Sequence, residues 1–352
     1  MLLSKFKGSA LAALAGDCIG ARYESMWRPV AYQTLLNLEE NLKSAEKTSR
    51  RSLHYTDDTE MAHELAKSLV ENGKFVAKDV ASKFTETFFE SPPYRYYGPH
   101  VRNVFEKLEK ASRFSDLFGP ASEQFDGQGS YGNGSAMRVF PVALFCHGNQ
   151  ELLEKLAALS AKLTHAHIDA INGAKLQASA VEIALSSSDG SISWLEFWQK
   201  LKDLIDKLEV DVPEKVYTNK LDMIKELIAR EEVASVHEFE DEVGTGIKAS
   251  EAVCAAIYAF LMCLADRQPS ELSSLSKVQQ VVFYSISLGG DTDTIGTMAG
   301  AIAGAFYGDE GLPSYWLYAF EGAEMARDLA TKLHELNEKK NRDISQKQCR
   351  LS

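Results

Sequence analysis

Two short runs in this sequence concentrate oxygen donors where helices are expected to begin: Thr56-Asp57-Asp58 and Asp291-Thr292-Asp293-Thr294. Each alone reads as an ordinary helix start, because Thr is a good N-cap and acids in the first turn complement the helix dipole. Two adjacent carboxylates nevertheless exceed what a cap requires. Consecutive side chains at a helix start fan around the axis end and can converge on one cation. In the second run, Gly289 and Gly290 permit unusual backbone angles, and Asp291 and Asp293 can face the same side of a turn. Together the runs supply four carboxylates and several hydroxyls, enough for one or two hard cations. Neither contains His or Cys, so zinc is disfavoured and oxygen-only ligation points to magnesium, with manganese or calcium compatible.

Between the runs lies FDGQGSYGNGSAMR, residues 125–138, with glycines at 127, 129, 132 and 134. It lacks a Lys-Ser/Thr ending and no strand pattern precedes it, so neither common nucleotide-loop fingerprint applies. Its glycines could still present backbone N–H groups to a phosphate, with Ser130 and Ser135 adding hydroxyls. Phe125 and Tyr131 could stack on a flat base. A plain surface loop with inward-facing aromatics fits the same residues. Glu24, just beyond Gly20 in GDCIGARYE, is a single glutamate of a kind usually solvated. His165 and His167 in LTHAHID could be ligands, although isolated histidines are more often hydrogen-bonded structural residues.

These groups must be positioned by helices. Met61, Leu65 and Leu69, with Ala62 and Ala66 beside them, form an apolar stripe behind the first run. Similar stripes cover 152–163, 174–185, 194–208, 220–228, 252–264 and 278–287. Strand-like alternation is scarce, so the predicted fold class is all-α. Trp194/Trp198 and Cys254/Cys263 read as buried helix faces. Two similar stretches, SALAALAGDCIGARYE and TMAGAIAGAFYGDE, are helices of small residues suited to close packing. Ser91–Pro99 reads as a rigid irregular connection, and the acidic segment 230–244 as a solvated linker. No segment resembles an interdomain tether, so one domain is expected.

The chain has 352 residues and a net charge of -12, which argues against broad nucleic-acid binding but not against a phosphate-bearing ligand. Cys18, Cys146, Cys254, Cys263 and Cys349 show no paired spacing, as expected of reduced intracellular thiols. No apolar run reaches about 18 residues, so no membrane span is expected. The start, MLLSKFKGSALAALAGD, superficially suggests a signal peptide, but its small-residue pattern continues as a globular helix. The last four residues, Cys349-Arg350-Leu351-Ser352, behind Lys339, Lys340, Arg342 and Lys347, fit a farnesylation pattern only loosely and read as a chance match.

YTDDTEMA, GSYGNGSAMR, LTHA followed by NGA, and SLGGDTDTIGTMAGAIAGA together resemble the ADP-ribosylhydrolase (ADP-ribosylglycohydrolase) family, across about residues 5 to 330. GDCIGARYE, FDGQGSYGNGSAMR, the Ile-Tyr of AAIYAF and YSISLGGDTDTI are most similar to its serine-ADP-ribose hydrolase branch. The resemblance implies a single-domain orthogonal all-α bundle over 1–335, followed by a polar C-terminal tail, 336–352. It implies a binuclear Mg2+ centre in a cleft, held by Thr56, Asp57, Asp58, Asp291, Asp293 and Thr294, with Mn2+ as an alternative. Glu24 matches a mobile gating and catalytic glutamate, and Asp291 is a second acid/base candidate. Gly129, Ser130, Tyr131, Gly132 and Asn133 would hold the diphosphate and adenosine, with Phe125 and Tyr131 near the adenine and His165 near the phosphates. Where relatives carry smaller or aromatic residues this chain has His167, Asp169 and Ile171, and Ala252 stands where relatives carry a serine.

The implied substrates are ADP-ribosylated proteins or peptides, cleaved to ADP-ribose, with poly-ADP-ribose and O-acetyl-ADP-ribose as further candidates. A monomer acting in cytoplasm and nucleus is expected, the chain having no evident mitochondrial presequence. Cleavage of an arginine linkage, another magnesium phosphoesterase and an inactive ADP-ribose-binding relative stand as alternatives.

Overall fold

A computed structural model describes residues 1–26, 28–45, 53–110, 116–187 and 191–351, with the side chains of 25, 45 and 343–351 excepted. In chain order the helices are α1 (Leu2–Gly20), α2 (Tyr32–Ala45), α3 (Asp57–Asn72), α4 (Ala77–Glu90), α5 (Pro99–Lys110), α6 (Gly119–Ser122), α7 (Gln124–Gly127), α8 (Phe140–Cys146) and α9 (Gln150–Lys162). There follow α10 (Ile168–Ser186), α11 (Trp194–Leu208), α12 (Val216–Ala229), α13 (Val236–Glu242), α14 (Ala249–Leu264), α15 (Lys277–Ser287), α16 (Thr292–Tyr307), α17 (Ser314–Ala319) and α18 (Ala323–Leu351). Among the described residues the only extended pairings are two isolated bridges, Leu53 with Phe320 and Gly132 with Lys248. The all-α reading holds.

At the centre lie the two small-residue helices, α1 and α16, packed against each other. Every residue from Gly8 to Gly20 and from Thr292 to Phe306 is buried, as expected of helices without a polar face. They run antiparallel: Gly8 meets Gly304, Gly16 meets Gly296 and Gly20 meets Asp293. A Cβ built on Gly16, Gly300 or Gly304 would overlap the partner's backbone. The interaxial distance is therefore set by backbone rather than by side chains. Ser9 Oγ donates to Ala301 O at 3.0 Å and Thr292 Oγ1 to Gly20 O at 2.8 Å, pinning the register at both ends. The C-terminus of α1 and the N-terminus of α16 thus emerge side by side. α3, α10, α14 and α15 surround this pair.

Segment 230–244 departs from the expected linker. Ser235 accepts from Glu238 N at 3.2 Å while Glu238 Oε2 accepts from Ser235 N at 2.8 Å, a reciprocal capping box that starts α13. Phe239 is buried and stacked on Tyr258, with ring centroids 4.3 Å apart at 18°. One apolar anchor outweighs the surrounding acids.

The segment from 336 continues α18. Asn337 is buried and donates to His147 O at 3.0 Å, and the Lys340 ammonium lies 3.1 Å from the centre of the Phe145 ring. The side chains of Cys349, Arg350 and Leu351, and Ser352 as a whole, lie outside the described residues. Cys18, Cys146, Cys254 and Cys263 are buried free thiols, and Trp198 is buried in the face of α11. No described helix is long and apolar enough to cross a membrane.

Candidate metal centre and ligand cleft

Three chain segments converge where α1 ends and α3 and α16 begin. Thr56 caps α3, with its hydroxyl 3.4 Å from Asp58 N. Its own backbone N–H and hydroxyl donate to Asp17 Oδ1, each at 2.9 Å, and Thr59 N donates to Asp17 Oδ2 at 3.0 Å. Asp17 on α1 is thus the buried anchor of the α3 N-terminus. Asp291 N donates to Thr245 O at 2.9 Å, and Asn133 Nδ2 donates to Asp291 Oδ2. Asp293 Oδ1 accepts from Thr294 N at 2.9 Å, and the Thr294 hydroxyl lies 3.5 Å from Asp58 Oδ2. The two runs singled out in the sequence therefore meet.

A cleft of about 200 Å³ opens over them, lined by Glu24, Asp57, Asp58, Asp291, Asp293 and Thr294 on its acidic side. Carboxylate oxygens of Glu24, Asp291 and Asp293 lie within 4.8 Å of one another. No Lys or Arg is among the described lining residues. Burial, followed by the charges of neighbouring acids, pushes the Asp58 and Asp293 carboxyls well up, and burial raises Glu24 to about 7 with Asp291 and Asp17 adding to it. Asp57 is likewise raised by burial and by Asp17. Asp58 Oδ1 is buried with no hydrogen-bond partner. Five crowded carboxylates, one with an orphaned oxygen, lack the positive charge that burial demands, so the donor set fits a hard divalent cation.

Ser130, Gly132, Asn133, Gly134 and His165 form a second part of the lining, joined to the acids through Asn133 and Asp291. Asn133 N donates to Ile247 O and Ala249 N to Tyr131 O, both at 3.0 Å, clipping the Gly-rich loop to the start of α14. Gly129, Phe125 and Tyr131 do not line the cleft itself. Phe125 and Tyr131 stand partly exposed nearby, with ring centroids 5.6 Å apart, and His100 lies 4.6 Å from Phe125. Phe125 has φ 51°, a strained value for a bulky residue. Gly129, with φ 76°, has no space for a Cβ beside Ala166 and His167. His167 caps α10 by accepting from Asp169 N at 3.2 Å, and Ala252 is fully buried in α14.

Other residues escaped the sequence reading. Tyr96, Gly98 and Pro99, from the segment read as a rigid connection, and His100 and Val101, from the first turn of α5, form part of the cleft wall with Met61, Met137 and Ile247. Arg95 fastens that segment to α3. It is buried, donates to Glu60 Oε1 at 3.0 Å, to Tyr55 O at 2.6 Å and to both oxygens of Glu321, and stacks 3.5 Å from the centre of the Tyr55 ring. Glu60 also accepts from Tyr97 OH at 2.7 Å. A prolyl, tyrosyl loop gives no such signal, but a lone Arg inside it was a place to look. Asp17 was legible only as the sole charge in a stretch of small residues.

Residues 1–343 match the profile of the ADP-ribosylglycohydrolase family. The sequence is 43% identical to ADP-ribosylhydrolase ARH3 of Xenopus tropicalis, covering 95% of this chain and 96% of the relative. It is 40% identical to ADP-ribosylhydrolase ARH3 of Homo sapiens, with 96% and 94% covered. Among solved structures, an ADP-ribosylglycohydrolase-related protein complex superposes with a TM-score of 0.66 at 22% identity, covering 95% of this chain and 98% of that one, which shows the shared fold. An all-α architecture, a carboxylate cluster built from two helix starts and a match over nearly the whole length agree: the chain belongs to the ADP-ribosylglycohydrolase family.

Proposed function

We propose that this chain is a Mg2+-dependent hydrolase that releases ADP-ribose from modified serine residues of proteins. The observation that carries the reading is the cleft itself: five carboxylates without a balancing base on one side, and a Gly-rich, histidine-backed wall on the other. Its similarity to ARH3 relatives supports the ADP-ribosyl group as the ligand.

Asp57, Asp58, Asp291 and Asp293 would hold the metal, with the Thr56 and Thr294 hydroxyls completing the oxygen set. Thr56 Oγ1 donates to Asp17, so a lone pair stays available. When bound, the metal supplies Lewis-acid polarisation of the ribose beside the scissile bond. Gly129 to Asn133 would receive the diphosphate, and Phe125 and Tyr131 the adenine. Cleavage breaks the bond between the anomeric carbon and the serine oxygen, and a water oxygen takes the serine's place on that carbon. Positive charge develops at the anomeric centre, and the carboxylates around it stabilise that charge. Glu24, whose carboxylate lines the cleft beside Asp291 and Asp293, can accept a proton from water or return one to the serine oxygen. Asp291 is anchored by Asn133 and by its backbone, which suits a fixed role better than a moving one.

Peptides carrying ADP-ribose on serine or on arginine, incubated with and without Mg2+ and read by mass spectrometry, test this. Loss of ADP-ribose from serine only with Mg2+ is expected, and poly-ADP-ribose and O-acetyl-ADP-ribose belong in the same assay. Cleavage confined to arginine, release of phosphate, or binding without turnover would overturn it.

A further inference from the structure

His165 contributes to the cleft wall a ring whose proton position is set from behind. It is buried, and its Nδ1 lies 2.7 Å from Thr164 Oγ1. Thr164 is itself buried, and its hydroxyl oxygen accepts from Arg138 Nη2 at 2.7 Å. Arg138 is fully buried and also donates to Gly134 O at 2.8 Å and Ser160 O at 2.9 Å. A guanidinium can only donate, so Thr164 Oγ1 must accept from Arg138 and keeps one O–H to give. Nδ1 of His165 is the partner described for that O–H. Were Nδ1 protonated, two donors would face one oxygen and the Thr164 proton would be buried without an acceptor, an arrangement folded proteins avoid.

We propose that Arg138 and Thr164 are positioning residues that fix His165 in the tautomer with its proton on Nε2, making it a hydrogen-bond donor to an anionic oxygen of the bound ligand. The Nε2 side of the ring is turned toward Gly132 and Gly134: a Cβ on Gly134 would lie 2.8 Å from Cε1 and 3.0 Å from Nε2, and one on Gly132 3.5 Å from Nε2. Among the described residues no group hydrogen-bonds Nε2, so its proton is available to the cleft. The ring stays neutral because burial, then the nearby Arg138 and His100, lowers its basicity to about 3. The donor is therefore uncharged in the free protein at neutral pH. Arg138 does a second service by bonding Gly134 O, which holds the Gly-rich loop against the same histidine. The role assigned to Nε2 rests on reading this cleft as the ADP-ribosyl site, whereas the tautomer itself does not.

Thr164→Val keeps the shape and removes the O–H, and Thr164→Ser keeps the hydroxyl. Nitrogen chemical shifts of the full-length protein labelled on histidine, with His165 assigned through His165→Gln, report the tautomer. ADP-ribose affinity by calorimetry reports the contact. The wild type should show the Nε2–H form. Thr164→Val should shift the equilibrium toward Nδ1–H and weaken ADP-ribose about tenfold, and Thr164→Ser should restore both. An Nδ1–H ring in the wild type, or an unchanged affinity in a folded Thr164→Val, overturns the proposal. If Thr164→Val does not fold, the wild-type spectrum and Thr164→Ser decide it. A wild type that holds the Nε2–H form but does not bind ADP-ribose refutes the ligand reading and the contact, and leaves the tautomer assignment standing.

Discussion

On one wall of the cleft, Asp57, Asp58 and Asp293 sit on the first turns of α3 and α16, Asp291 caps α16 and Glu24 follows α1; α1 and α16 touch backbone to backbone and α16 is buried along nearly its whole length. The other wall is built largely from loop residues, among them Tyr96 at positive φ, Gly98, Gly132 and Gly134, with the exposed rings of Phe125 and Tyr131 nearby. The first wall needs several charges held at fixed separations, which only packed helix ends provide. The second must meet a larger, polar surface, which exposed backbone and aromatic edges serve. Stability and chemistry are therefore coupled on the acidic wall and separable on the loop wall.

The sharpest way to break that contrast is Asp58→Asn. Activity should fall by at least about 10³-fold, while the metal-free protein becomes no less stable, because a crowded buried charge has been removed. A variant with near-normal turnover would remove Asp58 from the chemistry. Next comes Gly16→Val, distant from any ligand, which should cost at least about 3 kcal/mol in a denaturant titration because the new side chain meets the Gly296 backbone. Tyr131→Ala tests the loop wall: ADP-ribose affinity should drop about tenfold or more, in line with the loss of one base-stacking ring, with the melting temperature nearly unmoved. If that variant melts as early as Gly16→Val, the two walls are not separable.

The smallest effect is one of pH. Burial raises Asp17 to about 6 and Glu24 to about 7, so the folded state favours their protonated forms. That contribution is fully present below about pH 4 and is lost as pH rises through 6 and 7. The metal-free protein should therefore melt lower at pH 8 than at pH 6.5, an interval above the range in which the buried His63 and His165, lowered to about 3, act in the opposite sense, and Mg2+ should reduce the difference. A melting temperature that climbs over the same interval without metal would contradict it.

What the sequence made legible follows the same division. The Thr/Asp runs could be read because helix-start chemistry is local, and their duplication pointed to a cation before any fold was known. The two small-residue helices were visible as a pair, although only the structure brings Gly16 onto Gly296. Asp17 could not be assigned, since its partners Thr56 and Thr59 lie some 40 residues away and nothing local distinguishes a buried cap from a solvated acid. The contribution of 91–99 to the cleft wall could not be read because loop composition does not reveal which side faces a cleft. Segment 230–244 differs: the Ser235–Glu238 capping box is local and present in the sequence, but the surrounding acidic residues equally fit a solvated linker.

The α1–α16 contact also bears on how this protein comes into being. The surface that carries Glu24 is made before its partner at Asp291–Thr294, which follows more than 260 residues later. Contacts so distant in sequence carry a large loop-closure cost and form slowly. A nascent chain therefore holds α1, whose residues from Gly8 to Gly20 are all buried in the fold, without the surface that buries it until α16 has left the ribosome. During that interval it depends on chaperones or on provisional packing, and no truncated product can assemble the acidic wall.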